Sequence, residues 1–437
     1  MEIKFIDLFA GIGGFHHALT TLKGVEGECV LTCEMDANCR KVYEANFGTQ
    51  KNFSVNIRHL TQDSKGKTLS SDEIKGMVPE HNVLCAGFPC QPFSKSGKQH
   101  GAKDKTRGTL FHDIISIIEA RKPDYLILEN VKNLMGPKHK KTLEIIISAI
   151  SELGYHVEKK PITLSPHQIE EKEGGAPQVR ERVFILAIKN SHNAEDKLSR
   201  ISSEVKTLKE KAKKRQDDWR IADYLIADTS IKTGAKGYRL NDQEMKWLEA
   251  WDDFVKIIPD ENLPGFPIWC EVFKKSPPST RDLPKWKINF LEKNYKFYKK
   301  HEALIRAWME RHNVKSFPPS RQKFEWQAKK SHGKQKGRTI KNLVIQMRPS
   351  GIRVKPATYL PALVAITQTS IIGPQVAPQK VKEYRSLTPQ EAAKLQGMPP
   401  DVFSKKGGEV ADSVAFKQLG NAVNVGVIRY LAEKLIT

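Results

Sequence analysis

The first apolar run of the chain reads Phe5-Ile6-Asp7-Leu8-Phe9-Ala10-Gly11-Ile12-Gly13-Gly14. Its first half is apolar at nearly every position, which is typical of a strand buried on both faces of a parallel sheet. The glycines that follow break the strand and permit a tight turn, and a helical pattern continues through Leu22. The stretch therefore predicts a strand, a tight turn and the start of a helix, the opening unit of an α/β fold.

Strands and helices continue to alternate as far as Lys189. Such an alternation predicts a doubly wound, mainly parallel sheet with helices on its faces. The predicted strands after the first lie at 29–33, 82–86, 124–128, 155–164 and 183–188, and helices are predicted at 109–120 and 142–153.

Beyond Lys189 the composition changes, and lysine-rich helical patterns are separated by prolines. This change indicates a separate domain of less regular structure. Near its end, Thr388, Pro389 and Glu391 have the spacing of a capping box at a helix start. The predicted division is one domain at 1–189, a smaller inserted domain with a hinge at 190–408, and a C-terminal segment at 409–437 whose helix at 426–436 returns to the first domain.

The charge indicates a polyanionic partner. The 437 residues carry a formal net charge of +22, and residues 285–355 contain 20 lysines and arginines against 4 acidic residues, with aromatics between them. Such a pattern is typical of a nucleic-acid-binding surface, although a solvated lysine-rich face is the alternative interpretation. No apolar run is long enough to span a bilayer, and six cysteines without metal-binding spacing indicate a cytoplasmic protein with no metal site.

A second stretch, Gly87-Phe88-Pro89-Cys90-Gln91-Pro92-Phe93-Ser94, directly follows the predicted strand at 82–86. A thiol there lies at the carboxyl edge of the sheet, where open α/β sheets bind their ligands. The prolines restrict the backbone on both sides of Cys90, which suits a nucleophile held in place. Since free cysteines are commonly buried packing residues, the stretch alone leaves both interpretations open.

The glycine turn and the acidic end of the next strand predict a nucleoside site. Glu34 follows the predicted strand at 29–33, where a carboxylate can accept hydrogen bonds from both hydroxyls of a ribose. The glycines do not complete a dinucleotide fingerprint, because His16 stands where the third glycine is required. This mismatch disfavours a nicotinamide enzyme. The turn can still bring backbone close to an adenosyl ligand, and a tight βα connection without a ligand is the alternative interpretation.

Taken together, these segments resemble the DNA cytosine-5 methyltransferases of bacterial restriction-modification systems, and they follow that family's order along the chain. The resemblance covers most of residues 3–189 and 385–434. It implies the fold of the S-adenosylmethionine-dependent methyltransferases, with the middle segment as a target-recognition domain. The matching segments are Phe5 to Gly14, Gly87 to Ser94, Glu129-Asn130-Val131, Gln178 to Phe184, Arg385 to Phe403 and Gly420-Asn421-Ala422-Val423.

The resemblance also implies the catalytic residues. Cys90 is expected to add to carbon 6 of cytosine, which activates carbon 5 for methylation. Glu129 is expected to contact N3 and the amino group of the base, and Arg182 its O2. Arg180 is expected to supply positive charge near the thiolate. A base inside a duplex cannot reach such a site, so the target cytosine must be flipped out.

The implied methyl donor is S-adenosyl-L-methionine. The chain departs from the family at Asn56, where an aspartate is common, and at Ala422, where a serine is common. An asparagine carbonyl can accept the same hydrogen bond from the adenine amino group. The residues expected to contact the cofactor are Phe9, Ala10, Gly11, Gly13, Gly14, Glu34, Met35, Asn56, Ile57, Pro89, Leu110, Asn421, Ala422 and Val423.

The implied partner is double-stranded DNA, bound by a monomer at the bacterial nucleoid, and a cognate restriction endonuclease can accompany it. Residues 94–107 suit a closing lid in which Ser94, Lys95 and Arg107 contact the DNA. Arg348 and Arg353 are expected to read guanine from a recognition loop, with a structural turn as the alternative.

Two other functions remain open. Some members of the family act on RNA, and the large basic insert favours duplex DNA over that substrate. A catalytically inert DNA-binding regulator is the other, and the combination of Cys90, Glu129 and Arg182 favours an enzyme.

Overall fold

The structure is a computed structural model that describes residues 1–89, 109–191, 193–215, 218–231, 235–259, 263–274, 276–279, 281–328, 338–363 and 370–437. The chain divides into two compact units. Unit one comprises Met1–Trp219, Pro361–Thr367 and Ala392–Thr437, and unit two comprises Arg220–Leu360 and Gln368–Glu391.

Strands occur in both units. They are β1 (Glu2–Leu8), β2 (Glu26–Cys33), β3 (Phe53–Ser54), β4 (Val83–Gly87), β5 (Tyr125–Val131), β6 (Tyr155–Val157), β7 (Ile162–Leu164), β8 (Gln178–Val179), β9 (Arg182–Lys189), β10 (Ile268–Trp269), β11 (Lys323–Trp326), β12 (Leu343–Arg348), β13 (Gly351–Pro356), β14 (Leu360–Pro361), β15 (Ser370–Ile372) and β16 (Arg385–Ser386).

The α-helices of the described residues also occur in both units. They are α1 (Gly14–Leu19), α2 (Ala37–Phe47), α3 (Arg58–Thr61), α4 (Ser71–Met77), α5 (Leu110–Arg121), α6 (Lys140–Glu152), α7 (Ala194–Lys214), α8 (Asp242–Ile257), α9 (Lys285–Lys300), α10 (Glu302–Arg311), α11 (Pro389–Leu395), α12 (Asp412–Asn421) and α13 (Val425–Ile436). None of these helices is long and apolar enough to cross a bilayer.

Unit one is built on an eight-stranded sheet in the order β3-β2-β1-β4-β5-β9-β6, with β7 also paired to β9. The strands from β3 to β5 in this order are parallel. The predicted mainly parallel α/β sheet is therefore confirmed. Its strands have continuous apolar runs because helices cover both faces, as in β4, where Val83 to Ala86 are fully buried.

The edge of this sheet beyond β5 is antiparallel, since β9 pairs with β5 from Tyr125 opposite Ile188 to Val131 opposite Arg182. An apolar run buried on both faces looks the same in either direction, so the sequence did not reveal this reversal. The strand predicted at 155–164 is divided into β6 and β7. Pro161 lies between them and has no backbone N–H to donate to the sheet.

Unit two has its own core beneath a second sheet, in the order β10-β11-β13-β12-β15-β16. The rings of Trp251 and Phe324 stack with centroids 4.6 Å apart. Both buried indoles keep a hydrogen bond, from Trp251 Nε1 to the Arg321 carbonyl and from Trp308 Nε1 to the Ala250 carbonyl. A buried aromatic cluster with satisfied polar atoms is sufficient to organise a domain core.

The observed division differs from the predicted boundaries at 189 and 408. Helix α7 belongs to unit one, where Lys209 Nζ donates to Thr163 Oγ1 at 2.7 Å and Leu198, Ile201 and Val205 are buried. The change to a lysine-rich composition marks the solvent face of this amphipathic helix rather than a domain boundary. The capping box at α11 is present: Thr388 N donates to Glu391 Oε2, and Glu391 N to Thr388 Oγ1.

Candidate active site

Strands β1, β4 and β5 end at one edge of the unit-one sheet. The register places Leu8 beside Ala86 and Gly87 beside Glu129. Glu129 therefore lies next to the strand that leads into the predicted nucleophile. Cys90 itself lies outside the described residues, as do Ser94, Lys95 and Arg107 and the predicted lid at 94–107.

Glu129 forms an ion pair with Arg182 across β5 and β9, with 3.1 Å between Arg182 Nε and Glu129 Oε1. Burial raises the pKa of the Glu129 carboxyl, although Arg182 and Arg180 oppose the shift. Burial lowers the pKa of Arg182, while Glu129 raises it. The arrangement gives a carboxyl that can hold a proton closer to neutral pH, beside a guanidinium donor.

Arg180 has a different environment from Arg182, although the two are separated by one residue. Its side chain is buried, and Nη2 donates to the carbonyls of Gly420 at 2.9 Å and Ala422 at 2.7 Å. Burial and the neighbouring Arg182 lower its pKa to about 9, while Glu129 opposes the shift. Arg180 thus joins the segment before β9 to the last turn of α12 and the residue that follows this helix.

Asn130 is a buried polar residue to which the sequence analysis assigned no role. Its Nδ2 donates to the carbonyl of Phe88 at 2.9 Å, and its Oδ1 accepts from Val131 N at 2.9 Å. These bonds hold the backbone two residues before Cys90. A buried amide requires such hydrogen-bond partners. In the sequence, the only signal for this role was the position of Asn130 next to Glu129 near a strand end.

The turn after β1 packs closely against neighbouring side chains. Gly11 and Gly13 have positive φ angles of 57° and 86°. A Cβ on Gly14 would lie 2.5 Å from Val423 Cγ2, and one on Gly13 would lie 2.3 Å from the ring of Phe47. At Gly11 such an atom would meet no described atom within 4 Å. The turn is therefore packed on one side and open at Gly11.

The carboxylate of Glu34 braces this turn. Its Oε2 accepts from Gly11 N at 2.8 Å, and its Oε1 accepts from Asp36 N at 2.7 Å. Each oxygen keeps a lone pair for a further donor. Asn56, the predicted departure from the family, uses its side-chain oxygen to accept from Arg58 N at 3.1 Å at the start of α3.

A cavity of about 350 Å³ opens beside the turn and Glu34. Seven of the predicted cofactor residues line it. They are Phe9, Glu34, Met35, Asn56, Ile57, Pro89 and Leu110.

The remaining predicted residues lie in the turn, at the end of α12 and in the loop that follows it, namely Ala10, Gly11, Gly13, Gly14, Asn421, Ala422 and Val423. The sequence analysis missed Cys33, Val55 and Arg58, which also line the cavity. Among the described residues no group of three His, Cys, Asp or Glu side chains could hold a metal ion.

In unit two, the predicted recognition stretch forms a β-hairpin, in which β12 and β13 pair from Arg348 opposite Gly351 onwards. Arg348 and Arg353 lie together and donate to the same oxygen, Glu325 Oε2, at 3.1 and 2.7 Å. Glu325 lies on β11 and was not singled out in the sequence, because no local pattern connects it with the hairpin.

Comparison with known proteins agrees with this fold. The crystal structure of the S. pombe Dnmt2 methyltransferase superposes with a TM-score of 0.52 and 17% sequence identity, over 99% of this chain and 98% of that one. An identity this low supports the similarity of the fold alone.

The sequence comparisons are more specific. The chain is 39% identical to the Type II methyltransferase M.HhaI of Haemophilus parahaemolyticus over 44% of its own length and 51% of that protein. It is 36% identical to the Type II methyltransferase M.AluI of Cellulosimicrobium cellulans over 98% of its own length and 91% of that protein. The family model of C-5 cytosine-specific DNA methylases matches residues 3–437. The protein therefore belongs to the C-5 cytosine-specific DNA methylase family.

Proposed function

We propose that this DNA cytosine methyltransferase transfers a methyl group from S-adenosyl-L-methionine to carbon 5 of a flipped-out cytosine, through a transient adduct with Cys90. The observation that carries the proposal is the Glu129–Arg182 pair next to Gly87. Attack at carbon 6 increases the electron density at N3 and O2 of the cytosine ring. A carboxyl with a raised pKa can protonate N3, and the guanidinium beside it can donate to O2.

The cavity beside the glycine turn supports the choice of methyl donor. Phe9, Ile57 and Leu110 offer apolar walls for an adenine ring, and Glu34 offers carboxylate oxygens to ribose hydroxyls. The open space at Gly11 lets a ligand approach the backbone. When bound, S-adenosyl-L-methionine supplies a methyl group on a positively charged sulfur, which makes that carbon electrophilic.

Three residues of the chain are proposed to activate the ring and to move the N3 proton. The Cys90 thiolate forms a bond to carbon 6, and the displaced electron pair moves toward N3, where Glu129 provides a proton. Arg182 donates hydrogen bonds to O2 as negative charge develops there. Carbon 5 forms a bond to the methyl group, and the electron pair of the broken carbon–sulfur bond stays on the donor sulfur, which becomes a neutral thioether. Carbon 5 then loses its proton to solvent, and the electron pair of that C–H bond restores the double bond between carbons 5 and 6. Finally the bond to carbon 6 breaks, the thiolate leaves, and the N3 proton returns to Glu129.

Double-stranded DNA is the proposed substrate, with unit two as the target-recognition domain. The excess of positive charge at residues 285–355 supports a polyanionic partner. The relatives M.AluI and M.HhaI are named Type II methyltransferases, which supports a restriction-modification role with a cognate endonuclease in a bacterial cell.

The test is methyl transfer from labelled S-adenosyl-L-methionine to duplex DNA by the full chain and by Cys90→Ser. Cys85→Ser is the matched control, because Cys85 is a buried cysteine of β4 five residues earlier. Cys90→Ser should lose incorporation and fail to form a covalent complex with 5-fluorocytosine DNA. Wild-type incorporation by Cys90→Ser would exclude the adduct, and transfer to tRNA instead of DNA would exclude the proposed substrate.

A further inference from the structure

The sheet of unit two carries a charged cluster on the face opposite its core. Phe324, Ile352 and Val354 point into that core and are buried. Successive residues of a strand face opposite sides of the sheet, so Glu325 and Arg353 lie on the other face, directly opposite each other in the register of β11 and β13.

Glu325 holds both arginines with one oxygen. Its Oε2 accepts from Arg353 Nε at 2.7 Å and from Arg348 Nη2 at 3.1 Å. Its other oxygen, Oε1, accepts from Gln327 Nε2, which fixes the plane of the carboxylate. The three charged side chains keep 18 to 27% of their surface exposed, so the cluster is accessible from solvent.

The backbone beneath the cluster is also braced. Arg321 Nη1 donates to the Arg348 carbonyl at 3.0 Å. Gly351 has φ 134°, and a Cβ there would lie 2.9 Å from Lys323 Cβ, so the start of β13 is pressed against β11. Side chains that project from paired strands are held more accurately than side chains on loops, as a recognition site requires.

The guanidinium donors that Glu325 leaves free match the hydrogen-bond acceptors of a guanine. Among the described residues, Arg353 uses only Nε, which leaves the edge formed by Nη1 and Nη2. That edge matches the O6 and N7 acceptors of guanine in the major groove. Arg348 likewise retains Nη1 with no partner within the described ranges.

A structural arginine of the same unit shows the contrast. Arg385 is fully buried and directs all of its donors to acceptors, with Nε on Asp228 and both terminal nitrogens on Glu391. The two negative charges of its carboxylate partners exceed its single positive charge. The Glu325 cluster has the opposite balance, since one carboxylate faces Arg348, Arg353 and the nearby Lys355. A partly exposed cluster with surplus positive charge and free donors is suited to an external ligand.

We propose that Glu325 is a positioning residue for target recognition, which holds Arg348 and Arg353 so that their free donors face the major-groove edge of a guanine. This inference rests on the proposed function, in which unit two recognises duplex DNA. It assigns to the cluster a base edge rather than the phosphate backbone, because Glu325 cancels part of the charge of the arginines and fixes their orientation, which favours a directional pair of acceptors on a base.

The test begins with bisulfite sequencing of DNA from cells that express the full chain, which gives the methylated sequence. Each guanine of that sequence is then replaced in turn by 7-deazaguanine, which lacks the N7 acceptor, and kcat/KM is measured on every duplex. Replacement of one particular guanine should lower the kcat/KM of the wild type by about 10-fold to 100-fold, the discrimination expected from a bidentate contact. In Glu325→Gln the ratio of kcat/KM on the unmodified duplex to kcat/KM on the duplex with 7-deazaguanine at that position should fall toward one.

Two further variants separate recognition from folding. Arg353→Lys keeps the positive charge but removes the two-donor edge of the guanidinium. It should lose the same discrimination between guanine and 7-deazaguanine, and this result remains informative if Glu325→Gln lowers the thermal stability. Glu302→Gln, which removes an ion pair with Lys299 in the same unit, should keep the wild-type ratio.

The outcomes are distinct. An active wild type whose Glu325→Gln and Arg353→Lys variants lose activity equally on all duplexes, with the ratio unchanged, overturns the inference and indicates phosphate contact or a structural ion pair. A wild type that methylates no DNA overturns the proposed function, and the inference with it.

Discussion

Glu129 and Arg182 show how single residues acquire chemistry from their position. Arg182 begins β9, and Glu129 lies two residues before the end of β5. Each side chain is largely buried because β5 pairs with β9 along its whole length. Burial disfavours the charged form of both side chains, whereas their mutual attraction favours it. The protonation state of Glu129 therefore depends on this balance, and a nucleobase that enters the site can shift it.

Glu129→Gln tests the acid role. Glutamine has nearly the same shape and can donate a hydrogen bond to N3, but it cannot transfer a proton. We expect kcat to fall by about 100-fold to 10,000-fold, the range for general acid catalysis. The protonated fraction of Glu129 falls as the pH rises through its raised pKa, so wild-type kcat/KM should decline on the alkaline side. Steady-state rates across pH should show that decline in the wild type and not in Glu129→Gln, and an equal decline in both would assign it to another group.

At the scale of elements, the glycine turn after β1 and the loop after α12 depend on each other. Gly14 begins α1 and lies against Val423 in that loop, while Arg180 holds the carbonyl of Gly420 at the end of α12 and that of Ala422 directly after it. Residues near position 14 and residues near position 422 of unit one thus pack against each other. An added atom at this interface must displace one of these elements, because interiors are close-packed.

Gly14→Ala tests this packing. The new Cβ would lie 2.5 Å from Val423 Cγ2 and 3.1 Å from its carbonyl oxygen. We expect a loss of about 1–3 kcal/mol in the free energy of unfolding, as for other overpacked sites, and a higher KM for S-adenosyl-L-methionine. Urea unfolding and initial rates measure the two effects.

Gly76→Ala is the matched control for that variant. Gly76 lies in helix α4, and a Cβ there would meet no described atom within 4 Å. Alanine should stabilise the helix by about 0.5–1 kcal/mol and leave KM unchanged. If Gly14→Ala behaved as Gly76→Ala does, the packing of the turn on Val423 would not matter for the cofactor site.

At the scale of the whole molecule, the excess of positive charge determines how DNA binding responds to salt. Neutralised phosphates release counterions, so the logarithm of the affinity should fall linearly with the logarithm of the salt concentration. The charge is concentrated at residues 285–355, which includes helix α9 with its exposed Lys293 and Lys296. Ion pairs between this segment and DNA phosphates should therefore dominate the slope.

The double variant Lys293→Gln with Lys296→Gln tests that expectation. We expect the slope to decrease by about 1 for each phosphate that is no longer neutralised, at the same sequence preference. Lys211→Gln with Lys214→Gln removes the same charge from the exposed face of α7 in unit one and should change the slope less. Equal effects in a filter-binding titration would mean that net charge, rather than the segment, sets the affinity.

The sequence alone determined the fold class and the order of the elements, because burial on both faces of a parallel sheet requires continuous apolar runs such as those of β1 and β4. It also predicted that Glu34 and Glu129 lie at one edge of the sheet, since residues near the carboxyl ends of parallel strands share that edge. The resemblance to the family added the residues that are expected to contact the cofactor, and half of them line one cavity.

Only the tertiary structure decided which distant groups meet. Arg180 binds carbonyls some 240 residues further along the chain, Asn130 holds the Phe88 carbonyl, and Glu325 joins two arginines of a neighbouring hairpin. It also decided that β9 runs antiparallel and that α7 belongs to unit one. Local periodicity records whether a residue is buried, whereas the partner of a buried polar group depends on how the elements pack, and no local pattern encodes that.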